Sequence, residues 1–206
     1  MVSHIRRISP VRRRAGIVAV VALASACALT GCTPDDVAPE ASTTPSPPPT
    51  VSAPSFTGPA PESAEDAIAS ATAALDEFVR IENTIFAEGG VAPERIDAIS
   101  VPPASSEVYS TADTIASRGL VLTGGIVTRV IDAYATDLSD ATQSLPFAAV
   151  NLQICNDGSQ RTVSLPDGSA AQQPAKLVFT LNASVQYDPD ASMWKVRSFT
   201  GGGEEC

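Results

Sequence analysis

Five side chains combine reactive types with positions that bring an interior within reach: Glu82, Arg129, Asp132, Tyr134 and Trp194. At about 100° per residue, Glu82 falls inside an apolar stripe made by Leu75, Phe78 and Phe86. A carboxyl facing a buried space there has its pKa raised, because burial penalises the charged form, and becomes a candidate proton acid or base. The competing placement is the rim of the stripe, where the carboxylate reaches water or an arginine. Arg129, Asp132 and Tyr134 share one stretch, Gly125 to Ala135, that alternates as a strand does. Strict alternation groups Arg129 with Val127, Ile131 and Ala133, and groups Asp132 and Tyr134 with Ile126, Thr128 and Val130. Whichever face is buried, one charged residue then points toward the interior or its mouth. Two arrangements follow: Arg129 pairs with Glu82, or Asp132 and Tyr134 form a polar pocket floor. Trp194, with Tyr109 and Tyr187, either lines a ligand cleft or plugs the core with its one polar atom satisfied.

The elements that must hold these groups are legible from periodicity. Ser63 before Ala64-Glu65-Asp66 reads as a helix N-cap with acids in the first turn. Ile68, Ala71, Leu75, Phe78, Val79, Ile85 and Phe86 continue at helical spacing, and Gly89-Gly90 ends the run. Pro93 opens a short second helix carrying Ile96 and Ile99. A third, capped by Ser105 or Ser106, carries Val108, Ala112 and Ile115 up to Gly119. Beyond Gly119 the period drops to that of a strand. From Lys176 to Tyr187, Leu177, Phe179, Leu181, Ala183, Val185 and Tyr187 share one face while Thr180, Asn182, Ser184 and Gln186 share the other. One dry face and one wet face is the mark of an antiparallel sheet. Asp188-Pro189-Asp190 turns the chain into a partner strand, Trp194 to Phe199. Phe147 to Cys155 alternates likewise, with Cys155 on the outer face, and Thr162 to Leu165 reads as a short strand. The expected fold class is α+β: three amino-terminal helices packed on a curved antiparallel sheet.

Ahead of this domain stand two segments of a different kind. Residues 1–31 carry five arginines in the first fourteen positions, then an uncharged apolar run from Ala15 to Leu29. That run falls short of the ~20 apolar residues a spanning helix needs, and the layout is that of a cleaved export signal. Leu29-Thr30-Gly31-Cys32 resembles the lipobox of bacterial lipoproteins. The resemblance implies diacylglycerol on the Cys32 sulfur, cleavage before it, and stable anchoring through two or three acyl chains. Residues 32–61 hold nine of the seventeen prolines among Ser, Thr and Ala. Nothing there repays the entropy of ordering, so the segment reads as a disordered stalk. Residues 62–206 form the globular domain.

Counting cysteines and charges narrows the chemistry further. Cys27 leaves with the signal and Cys32 takes lipid, so Cys155 and Cys206 remain. Outside the cytoplasm an even pair reads as a disulfide, two free thiols being the competing reading. Loss of five of thirteen basic residues and none of the twenty-three acidic ones leaves the mature chain at a formal −15. Such a chain is repelled by nucleic-acid phosphate and by anionic headgroups, so no nucleic-acid partner is expected and membrane attachment rests on lipid. The sole histidine, His4, lies in the signal, so the mature chain lacks imidazole for a Ser-His-Asp or Cys-His site or a His-bound metal. No phosphate loop or dinucleotide glycine pattern is present, and no cofactor or metal is expected.

Three helices followed by an antiparallel sheet with Trp194 on its last strand resemble the nuclear-transport-factor-2-like α+β cone. The likeness is greatest to its lipid-anchored versions in high-GC Gram-positive bacteria, through Cys155-Asn156-Asp157, Met193 to Phe199 and the terminal Cys206. That family has no invariant active site, so the fold does not carry the function. The expectation is a lipid-anchored extracytoplasmic binding or interaction module on the outer face of the cell membrane. Its partner is a small hydrophobic ligand in the cone or a cell-envelope protein on the sheet. The competing readings are a small-pocket isomerase or hydrolase using Glu82 or Asp132 with a tyrosine, and a purely structural envelope protein.

Overall fold

A computed structural model describes residues 55–139, 144–201 and 203–206. The expected signal, Cys32 and the stalk up to residue 54 lie outside the described residues. Among those described, no helix is long and apolar enough to cross a membrane.

Helix α1 (Ala64–Ala87) starts where its cap chemistry places it: the Ser63 hydroxyl accepts the Asp66 N–H at 3.1 Å. Its buried face runs Ala67, Ala71, Ala74, Leu75, Phe78, Val79, Ile85 and Phe86, the stripe that periodicity predicts. Gly89 and Gly90 then turn the chain with φ of +81° and +80°. Gly90 has a second reason to lack a side chain, because a Cβ there would lie 2.3 Å from the Ala112 carbonyl oxygen. A 3-10 helix (Pro93–Ala98) and helix α2 (Ala104–Arg118) follow. The cap of α2 differs from expectation: Pro103 occupies the N-cap, and Ser105 is buried one residue inside the helix.

Four strands form an antiparallel meander in chain order: β2 (Val127–Ser139), β3 (Ser144–Asp157), β5 (Val178–Asp188) and β6 (Met193–Thr200). Two short strands, β1 (Val121–Thr123) and β4 (Thr162–Ser164), pair with each other in a separate small sheet. The fold class is α+β, as expected. The core lies between α1, α2 and the inner sheet face, where Ala148, Val150, Leu152, Ile154, Ala183, Val185 and Val196 are fully buried.

Cys155 and Cys206 form a disulfide with a Cα–Cα distance of 5.7 Å. The bond closes a sequence separation of 51 residues, which in the chain-entropy model stabilises the fold by about 4 kcal/mol. Cys155 points outward as alternation requires, and the carboxy-terminal tail crossing that face covers it. The tail is also held by the Thr180 N–H, which donates to the Glu204 carbonyl at 2.9 Å.

The ordered domain begins before Glu62. The Trp194 N–H donates to the Phe56 carbonyl at 2.8 Å and the Gly58 N–H to the Ser192 carbonyl at 2.9 Å. Residues 55–61, expected in the stalk, therefore dock beside β6. Proline content concealed this, because the docking uses backbone groups that any residue supplies.

Candidate functional site

The sheet's inner face has two ends. At one, Trp194 is 2 % exposed and its ring sits 5.9 Å from that of Tyr187 in an edge-on arrangement. The Tyr187 hydroxyl donates to the Gly58 carbonyl at 2.8 Å. Trp194 is thus a core plug beneath the 55–61 segment and contributes nothing to a ligand cleft at the other end. Tyr109 is exposed and donates its hydroxyl to Asp97 at 2.7 Å.

At the other end a cavity of about 490 Å³ opens. Its walls come from α2 through Ile115, from β1 and β4 through Leu122 and Val163, and from the start of β5 through Phe179. The segment 172–177 closes one side. Arg161, in the turn between β3 and β4, supplies a charged group at the wall. Its guanidinium lies over the Phe86 ring, 5.5 Å from the centroid. Its Nη2 donates to Asn83 Oδ1 at 3.0 Å. Asn83 in turn brackets the approach to β2, accepting the Ile126 N–H at 2.9 Å and donating to the Ile126 carbonyl at 2.8 Å. One amide at the end of α1 therefore positions both the first residues of the sheet and the arginine.

Glu82, beside Asn83, sits on the buried stripe of α1, as its helical position requires. Burial pushes its pKa up to about 7; Arg161 opposes the shift and Glu107 on α2 adds to it. Neither expected placement describes it fully: the residue keeps partial exposure, yet its carboxyl is strongly desolvated. None of the hydrogen bonds or ion pairs found among the described residues involves it.

Arg129, Asp132 and Tyr134 fall elsewhere: Arg129 by alternation on the outer face, the other two through a β-bulge. Val130 pairs with Ile154, but Asp132 rather than Ile131 pairs with Gln153. One extra residue reverses the face of everything beyond it. Val130, Ala133 and Ala135 consequently pack on the core, while Arg129, Ile131, Asp132 and Tyr134 are all exposed. The expectation that one charged residue of this strand faces inward is overturned. Arg129 does not pair with Glu82; the cation that acts on Glu82 is Arg161. Asp132 and Tyr134 floor no pocket, and Asp132 shares no cavity with Glu82.

Arg161, Asn83 and Lys176, which also lines the cavity, carry no distinguishing sequence signal. Arg161 follows Gly158-Ser159-Gln160 and looks like any solvated turn arginine. Among the described residues no cluster of His, Cys, Asp or Glu could hold a metal.

Comparisons with known proteins add little to this geometry. No family model matches the chain, and no curated protein does. A similar solved structure is the crystal structure of the intermembrane space region of chloroplast protein ARC6, at 12 % identity and a TM-score of 0.41. The match covers 64 % of this chain and 92 % of that one. No family is assigned. A likeness that distant carries no argument about function.

Proposed function

We propose that the chain is a lipid-anchored extracytoplasmic binding module whose domain is a cone of the nuclear-transport-factor-2-like kind, with a small apolar ligand entering its open end. The observation that carries the binding role is the largely apolar cavity of about 490 Å³, inside the ~300–1,000 Å³ range of small-molecule sites. Asp132 and Tyr134 are exposed on the outer face of β2, away from the cavity, which favours the binding reading over an isomerase or hydrolase that uses that carboxyl with that tyrosine. The lipobox at Cys32 and the proline-rich segment behind it support anchoring on the outer face of the cell membrane.

Two measurements test the two halves of the reading. Cys32→Ala is expected to release the protein from membranes, and retention in the membrane fraction would remove the anchor. A thermal-shift series with medium-chain apolar and amphipathic compounds is expected to raise the melting temperature of the wild type. An unchanged melting temperature across the series would remove the binding role.

A further inference from the structure

We propose that the open-end cavity takes a single-chain amphiphile with an anionic head group, the head resting on Arg161 and the chain on Ile115, Leu122, Val163 and Phe179. This deepens the binding role above and rests on it.

The charge distribution is the first argument. The chain has twenty-three acidic residues against thirteen basic ones. Even so, no carboxylate lines this cavity, and two cations do, Arg161 and Lys176. The remaining lining is apolar side chains with a few neutral polar ones. Lys176 is exposed, so water takes the ammonium protons that the Gly203 carbonyl oxygen does not. Arg161 is not saturated: the bond to Asn83 uses one Nη2 proton, and no other hydrogen bond from its guanidinium occurs among the described residues. The unspent N–H groups form the planar fork that a carboxylate or phosphate accepts in bidentate fashion.

Preorganisation is the second argument. Asn83 on one side and the Phe86 ring on the other fix the guanidinium plane. An anion binding there therefore immobilises little that is not already held. The carboxyl whose charge acts on Arg161 is Glu82, which neither bonds to it nor lines the cavity and is itself disfavoured as an anion by burial. A neutral or cationic head group would leave the arginine's remaining donors desolvated without partners, at a cost in affinity. The cavity volume of about 490 Å³ is on the order of sixteen water volumes, which suits one medium acyl chain and its head.

The test is calorimetric titration of the full chain carrying Cys32→Ser, so that no acyl group of its own competes. The probes are dodecanoate, dodecyl phosphate, dodecanol and dodecyltrimethylammonium, all below their micellar concentrations. Dodecanoate or dodecyl phosphate is expected to bind roughly tenfold or more tightly than dodecanol, because a charged hydrogen bond is at stake. The trimethylammonium amphiphile is expected to bind weakest. The stronger of the two anions identifies the carboxylate or phosphate source. Arg161→Gln is expected to abolish the preference for the anion and leave dodecanol binding intact. Equal binding of dodecanol and the anions by the wild type would overturn the head-group assignment while leaving the cavity as a binding site. So would an unchanged ratio in a folded Arg161→Gln protein. Failure of every probe to bind would overturn both the assignment and the binding role beneath it.

Discussion

The two ends of the sheet's inner face are built from similar materials and finished differently. At the closed end, Trp194 and Tyr187 fill the space and the backbone of residues 55–61 covers them. At the open end, Phe179 and Ile115 line the cavity of about 490 Å³, with Arg161 held at its wall by Asn83 and the desolvated Glu82 outside the lining. The difference shows one layered fold closing one end with large side chains and leaving a cavity at the other. Large aromatics, Tyr187 with its hydroxyl bonded to Gly58, supply stability where they are buried. A cavity forgoes the dispersion contacts that such side chains would make.

Substitutions at the two ends should therefore act on different observables. The largest effect is expected from Trp194→Ala, which removes a plug that is 2 % exposed and should destabilise the domain by about 3–5 kcal/mol in denaturant titration. If the ends are separate, any folded Trp194→Ala protein keeps its ligand affinity. A large loss of affinity with little loss of stability would merge the two ends into one site.

A smaller effect of opposite sign is expected at Glu82. Its folded-state pKa of about 7 exceeds the ordinary value of 4.5. The folded state therefore holds the proton more tightly, and ionisation opposes folding. The protein should lose stability as pH rises from about 4.5 to about 7, with the full penalty present above that window and none below it. Glu82→Gln should remove the penalty. A gain on the order of 3 kcal/mol is expected near pH 8, with no change near pH 4. Equal gains at both pH values would show that the effect is not protonation.

The smallest effect is expected on the outer face. Asp132→Ala and Tyr134→Phe should each change stability by less than about 0.5 kcal/mol, with ligand binding unaltered. A larger loss in either would mean that the exposed surface of β2 is engaged in a contact of its own.

Most of the framework is readable in the sequence because it depends on short-range patterns. The Ser63 cap, the α1 stripe and the alternation of β3 and β5 each need only a turn or two of context. The bulge at Ile131 was not readable, because register is a property of the pair and nothing in Gly125 to Ala135 marks the slipped residue. That one omission misplaced Asp132 and Tyr134, whereas Arg129, ahead of the bulge, lies on the outer face by alternation alone. Glu82 was legible as a carboxyl on an apolar stripe, but its charged neighbour was not. Arg161 reaches it from 79 positions away in the chain, a proximity that only the tertiary fold creates. The docking of residues 55–61 was hidden for a related reason, since a backbone pairing leaves no pattern in side-chain types.

The central claim, that the open end is the binding site, is tested most directly by amide chemical-shift mapping with dodecanoate as the probe. Shift changes are expected at Ile115, Leu122, Val163, Phe179 and the Arg161 side chain, with Trp194 and Tyr187 unmoved. Changes centred on Trp194, or none at all at a saturating probe concentration, would contradict it.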